Sequence, residues 1–295
     1  MSIKNKLLGL TAVIISSFMF SAQAAELVVG GKGFTEQLIL ASMTEQLLTA
    51  KGYDVDRRDG MPSSVLRKAH LNKQVDLYWE YTGTSLRTFH KIKDKMTRQQ
   101  AYDTVKKLDG EKGIVWLNPS KANNTYALAV RKDDPNLADI KSISDMSAMM
   151  KTGKRLVLGS SSTFPVRADG LKPLQKVYDF KFKRSDIIKM DDGLTYQALK
   201  LEKVDIAVVF STDGRIGAFN FRILTDDKNF FPDYSMVPII SADILEKHPK
   251  VGELLNQLSE KFDDTVISNL NAQVDVEKKS IERVATEFLK KQGLI

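Results

Sequence analysis

The 295 residues include 42% hydrophobic and 27% charged side chains, no cysteine and a formal net charge of +7. That composition is globular, and the length suffices for one large domain or two medium ones, each burying its own core. Without cysteine there is no disulfide framework and no thiolate catalysis, and so small and dispersed a charge surplus is no footprint for nucleic acid.

The chain opens with Lys4 and Lys6, an apolar run from Leu7 to Phe20, and then Ala22-Gln23-Ala24. This order of charge, apolar core and small residues is that of a secretory signal peptide over residues 1–24, cleaved after Ala24. The apolar run is too short for the roughly 20 residues that span a bilayer. Cleavage removes Lys4 and Lys6 and lowers the formal charge from +7 to +5. With no cysteine at the cleavage site to carry a lipid, the mature chain is expected free in a periplasm.

Leu27-Val28-Val29 reads as a strand, Gly30-Gly31-Lys32-Gly33 as a glycine loop, and Thr35-Glu36 as the start of a helix carrying Leu40, Met43 and Leu47 on one face. The unit recurs: Leu156-Val157-Leu158 is followed by Gly159, the hydroxyl run Ser160-Ser161-Ser162-Thr163 and a segment towards Leu174 and Val177. Asp76 lies 46 residues after Gly30 and Asp205 lies 46 after Gly159, while Tyr81 and Phe210 each lie 51 after their glycine. Matched intervals predict two similar α/β lobes. In such sheets ligands gather at the carboxyl ends of the strands, so Tyr81 and Thr84 on one side and Phe210 on the other are expected to face a shared cleft. Two crossings should join the lobes, one through Asn123–Val130 and one through Phe230–Tyr234 before a return strand at Met236–Ile240. Helical spacing of Leu254, Leu255, Leu258 and Phe262, and then of Ile281, Val284, Phe288 and Leu289, predicts a helical C-terminal segment packed on the first lobe.

Catalytic signatures are missing. His70, His90 and His248 are scattered without ligand spacing, the first glycine segment is not a P-loop, and the second lacks the glycine that closes a nucleophile elbow. Adjacent acids such as Asp191-Asp192 and Asp226-Asp227 have the character of solvated turns. No catalytic residue, metal ligand or cofactor is assigned.

The aromatics carry more information. Tyr81, Tyr126, Phe210 and Tyr234 all fall at strand ends or crossings. One alone is an ordinary core residue, but four converging rings would suit a methylated ammonium, whose diffuse charge is drawn to ring faces and which has no hydrogen to donate. Each face contributes about 0.5 to 2 kcal/mol and a micromolar ligand needs about 8, so a second anchor is required. Lys32, Thr84 and Arg167, with backbone N–H groups near Thr35, offer one to a carboxylate. A zwitterion with a trimethylammonium head fits both ends, and another small anion or an amino acid remains the alternative ligand.

Several segments carry a family resemblance: Gly31-Lys32-Gly33-Phe34-Thr35-Glu36-Gln37, Glu80-Tyr81-Thr82-Gly83-Thr84, Asn124-Thr125-Tyr126-Ala127, Arg167-Ala168-Asp169-Gly170, Phe210-Ser211-Thr212-Asp213-Gly214-Arg215-Ile216 and Asp226 to Tyr234. With these the chain resembles the periplasmic substrate-binding proteins of glycine betaine/carnitine/choline ABC importers of the osmoprotectant-uptake type. The resemblance implies an α/β, two-lobed periplasmic binding protein fold (type II-like) with two hinge crossings. Residues 25–127 plus 234–295 would form lobe 1 and residues 128–233 lobe 2. It also implies a monomeric receptor that hands its ligand to an inner-membrane ABC permease. The family's cage of four tyrosines falls on Tyr81, Tyr126, Phe210 and Tyr234, with the hydroxyl lost at Phe210. Thr84 matches members that accept a range of betaines, whereas an acid there goes with choline. Lys32 and Arg167 match positions near the ligand carboxylate. The family also includes ergothioneine binders. Closure is expected to bring Phe210 against Tyr81, and a pure ring-face cage predicts that Tyr81→Phe costs little.

Overall fold

The computed structural model describes residues 26–167 and 169–295, so the expected signal peptide lies outside the described residues. Among the described residues ten strands form two five-stranded sheets. The first contains β1 (Leu27–Lys32), β2 (Val55–Met61), β3 (Leu77–Tyr81), β4 (Ile114–Trp116) and β10 (Met236–Ser241) in the order β2-β1-β3-β10-β4. The second contains β5 (Tyr126–Arg131), β6 (Leu158–Ser160), β7 (Ile187–Lys189), β8 (Ile206–Phe210) and β9 (Phe221–Ile223) in the order β7-β6-β8-β5-β9. Each sheet has three parallel strands followed by one antiparallel strand that the chain contributes on arriving from a crossing. Helices surround both sheets, and the molecule is a two-lobed α/β protein.

The internal repeat has an atomic counterpart. Asp76 Oδ2 accepts the Val28 N–H at 2.7 Å, and Asp205 Oδ2 accepts the Val157 N–H at the same distance. Each aspartate thus pins its strand to the neighbouring parallel strand, and five residues later the strand ends on an aromatic ring, Tyr81 in β3 and Phe210 in β8.

Gly30, Gly31 and Lys32 lie within β1 and not in a loop. The glycines serve close packing: a Cβ on Gly30 would meet Leu66 Cδ1 at 2.5 Å and Val75 Cγ1 at 2.8 Å. Arg167 follows the short turn Phe164–Val166 in an extended conformation, and the next helix begins at Leu171.

The crossings run through Asn123–Thr125 and Pro232–Ser235, and they are tied by an antiparallel bridge between Asn123 and Ser235. The expected boundary between Ala127 and Leu128 falls inside β5, because Tyr126 and Ala127 already pair with Phe210 and Val209 in the second sheet. The C-terminal helices Pro249–Ser259, Asp264–Asp275 and Ile281–Lys291 return to the first lobe. There Phe262 stacks on Phe288 at 5.5 Å and meets Trp79 edge-on at 5.6 Å, against the helix Thr35–Ala50.

Behind the strand end at Tyr81 the fold is held by a buried polar knot. Asp109, at 0% exposure, accepts bonds from the Arg67 guanidinium, Trp116 Nε1 at 2.8 Å and Ser85 Oγ at 3.2 Å, with His90 Nε2 at 2.7 Å. Burial pushes the Asp109 carboxyl up, but the Arg67 pair and the remaining bonds outweigh it and hold it below the ordinary carboxylate range. The stabilisation is therefore complete above about pH 4 and is lost as pH falls through the depressed value. Asp109→Ala, which leaves the Arg67 charge buried and unpaired, is expected to lower unfolding stability by about 3 to 5 kcal/mol in urea titration at pH 7.

Candidate functional site

A cleft of about 900 Å³ lies between the lobes. All seven residues singled out from the sequence reach its wall: Lys32, Tyr81, Thr84, Tyr126, Arg167, Phe210 and Tyr234. β3 and β8 deliver Tyr81 and Phe210 at their last residues, β5 begins at Tyr126, and Tyr234 closes the second crossing. Tyr126 sits opposite Phe210 in the antiparallel ladder with ring centroids 5.0 Å apart, and it meets Tyr234 edge-on at 6.1 Å.

Gly83 makes room for the fourth ring. A Cβ there would meet Tyr234 Cδ1 and Cε1 at 2.7 Å and the Asp233 carbonyl at 2.8 Å, so the Thr82-Gly83-Thr84 segment needs glycine at its centre. Thr84 Oγ1 has no hydrogen-bond partner among the described residues and is free for a ligand.

One ring escaped the sequence reading. Phe34 stacks 6.3 Å from Tyr81 and 6.2 Å from Phe210, with planes within 26° and 10° of each. Tyr81 and Phe210 are therefore bridged by Phe34 and do not meet directly. Its sequence signal was present, since it lies between the glycine segment and the helix start, but it belongs to neither a strand end nor a crossing.

The two cationic positions already have partners. Lys32, 3% exposed, forms an ion pair with Glu80, and its ammonium sits 4.7 Å from the Tyr81 ring centroid. Burial pulls the Lys32 pKa down, and Glu80 opposes that. Arg167 grips Asp169 through Nε at 2.7 Å and Nη2 at 2.8 Å, shares Nη2 with the Tyr234 hydroxyl at 3.2 Å, and covers the Tyr126 ring at 5.1 Å. The Tyr234 hydroxyl also donates to Asp169. Arg167 Nη1 takes part in none of these bonds. Burial pushes the Tyr126 hydroxyl up to about 12, so it is neutral at physiological pH.

Glu36 is the second residue the sequence reading passed over. It stands in the first turn of the helix Thr35–Ala50, 3% exposed, where the helix dipole favours a negative charge. Tyr81 donates its hydroxyl to Glu36 Oε1 at 2.6 Å, and Thr212 of the second lobe donates to Oε2 at 2.7 Å. Asn124 and Asn271 add amide donors at 2.9 and 3.5 Å. Burial raises the Glu36 pKa, and these four bonds oppose the rise without cancelling it.

A family model described as the substrate binding domain of the ABC-type glycine betaine transport system matches residues 25–291. The chain belongs to this family. It is 39% identical over 280 residues to a glycine-betaine-binding protein of Pseudomonas aeruginosa, covering 93% of this chain and 90% of that one. It is 30% identical to the glycine betaine-binding protein YehZ of Escherichia coli, covering 98% of both. Among solved structures, apo YehZ superposes with a TM-score of 0.72 over 92% of this chain and all of the other, at 30% identity. A glycine betaine/carnitine/choline ABC transporter structure gives 0.78 over 91% and 99%, at 28% identity. Among the described residues no helix is long and apolar enough to cross a membrane.

The Tyr81 hydroxyl ties the ring to Glu36 and also accepts from Gln37 Nε2 at 3.0 Å. Tyr81→Phe, expected from a pure ring-face cage to cost little in binding, is therefore not silent for stability. Losing a bond to a buried carboxylate is expected to lower unfolding stability by about 1.5 to 3 kcal/mol, measured by urea denaturation beside the parent protein.

Proposed function

We propose that this chain is an extracytoplasmic receptor that captures a quaternary-ammonium zwitterion of the betaine class and delivers it to an ABC importer. The observation that carries the reading is the convergence of five rings, Phe34, Tyr81, Tyr126, Phe210 and Tyr234, on one cleft between two lobes. Their faces attract a methylated ammonium, and Arg167 Nη1 with the Thr84 hydroxyl offers donors to the carboxylate. Lys32 adds positive field near that end while its ion pair with Glu80 keeps its position fixed.

The names of related proteins point the same way. Beside the two glycine-betaine-binding proteins stand a carnitine transport binding protein of Listeria monocytogenes, 34% identical over 90% of this chain, and the ergothioneine transport permease/ergothioneine binding protein EgtU of Helicobacter pylori, 33% identical over 91%. This chain spans only 48% of the latter. The common element among their ligands is a trimethylammonium group beside a carboxylate, which is the chemistry of the cleft. The N-terminal residues 1–24 fit export to a periplasm, where such a receptor meets its permease. An anion or amino-acid receptor finds less support, because the cationic groups of the wall, Lys32, Arg167 and Arg215, already hold carboxylates.

Isothermal titration of unfolded, ligand-stripped and refolded protein tests the reading with glycine betaine, carnitine, choline, ergothioneine and dimethylglycine. One trimethylated zwitterion is expected to bind in the micromolar range or tighter, and loss of a methyl group should weaken binding at least tenfold. Equal affinity for glycine betaine and dimethylglycine would remove the cage from the account. Tyr234→Ala and Phe210→Ala are each expected to weaken the preferred ligand more than tenfold in the same titration.

A further inference from the structure

The three cations of the cleft wall are all matched by carboxylates: Lys32 by Glu80, Arg167 by Asp169, and Arg215 by Asp213 with Asp275 at 3.7 Å. Asp191 and Asp192 are exposed acids of the same wall, and Glu36 is its buried carboxylate without an ion pair among the described residues. Its four partners, the Tyr81 and Thr212 hydroxyls and the Asn124 and Asn271 amides, are all neutral donors, and no cationic side chain among the described residues lies within 4 Å of it. A buried carboxylate without a cation is costly, and proteins otherwise pair such groups.

The wall beside it leans the same way. Asn124 and Asn271 are 8% and 5% exposed and line the cleft; the Asn124 amide nitrogen donates to Glu36, that of Asn271 is shared between the Thr212 carbonyl at 3.0 Å and Glu36 at 3.5 Å, and in each the buried Oδ1 has no hydrogen-bond partner among the described residues. One carboxylate with no ion-pair contact, only the longer-range attraction of Lys32, and two unpartnered carbonyl oxygens therefore stand together beside Tyr81. Acceptors so placed are useless to an anion and favourable to a cation.

We infer that Glu36 is the counter-charge of the ligand's cationic head, completing its ion pairing only when the cleft is filled. The inference rests on the receptor reading above and adds a specificity-determining group to it. The effect reaches the head by two routes. The charge acts directly across a desolvated site, where screening is weak. It also acts through Tyr81, whose hydroxyl donates to the carboxylate and so shifts electron density into the ring, deepening the negative face that meets the head. The rings alone would select for shape and polarisability; the carboxylate adds selection for charge.

The test separates charge from shape. 3,3-Dimethylbutanoate has the outline of glycine betaine with a carbon in place of the charged nitrogen. Competition titrations of both are run on the ligand-stripped parent and on Glu36→Gln, which keeps the size and one acceptor oxygen while removing the charge. The parent is expected to favour glycine betaine strongly. In Glu36→Gln that preference should fall at least tenfold while affinity for 3,3-dimethylbutanoate stays within threefold. Equal loss of both ligands, or an unchanged preference, overturns the counter-charge. Should Glu36→Gln fail to fold, Tyr81→Phe carries the same comparison: the preference should fall about threefold, and an unchanged one overturns the inference. A parent that binds neither compound is carried to carnitine against its carbon analogue 3-hydroxy-5,5-dimethylhexanoate under the same criteria; one that binds no trimethylated zwitterion, or distinguishes charge in neither pair, overturns the receptor reading itself and the counter-charge with it, whereas a parental preference that survives the substitutions overturns only the latter.

Discussion

Glu36 accepts hydrogen bonds from four segments that are far apart in the chain: the end of β3, the first crossing, the loop after β8 and the C-terminal helix Asp264–Asp275. Only one of these, Thr212, belongs to the second lobe, so the carboxylate is both part of the first lobe's interior and a contact across the cleft. Its burial requires that every donor be in place, because an unsatisfied carboxylate in such surroundings is far costlier than an unsatisfied hydroxyl. The geometry of the Tyr81 ring and the approach of the loop after Phe210 are thereby fixed together.

Around this point the cleft is assembled from rings and paired charges rather than from free ions. The Arg167 guanidinium lies over Tyr126, grips Asp169 and touches the Tyr234 hydroxyl, so a cation, an acid and two rings from different segments form one rigid block. Gly214 plays a comparable part on the outside of the cleft, where a Cβ would meet the Ala272 backbone nitrogen at 2.5 Å. Such close approach between the lobes leaves no slack for a side chain there, and the Gly-Arg sequence at residues 214–215 follows from it.

Much of the architecture is legible in the sequence because its cause is local. The equal intervals from glycine to aspartate to aromatic reflect a strand that must be pinned at one end and must present a ring at the other, and the bonds of Asp76 and Asp205 show why the spacing repeats. The four aromatics at strand ends could be found for the same reason. What could not be read depends on three-dimensional partners. Gly30 and Gly31 look like a loop until Leu66 and Asp59 are seen against them. Lys32 and Arg167 look like free cations until Glu80 and Asp169 are placed. Phe34 and Glu36 lie two residues apart at a helix start, and nothing in their spacing announces that one joins the rings and the other holds them. The start of the second sheet at Tyr126 is set by pairing with Phe210, which no local pattern records.

The bridge between Asn123 and Ser235, reinforced by the bond from the Tyr234 N–H to Asn123 Oδ1 at 2.8 Å, places the two connecting strands of the chain side by side. Two adjacent tethers define an axis, and displacement under rotation grows with distance from it. Tyr126 and Tyr234 adjoin the tethers and so sit near the pivot, and Arg167, which lies over one ring and bonds the hydroxyl of the other, sits there with them. A swing of the second lobe would therefore carry residues far from the tethers through long arcs yet leave this block almost stationary. That part of the site would then be standing before any guest arrives.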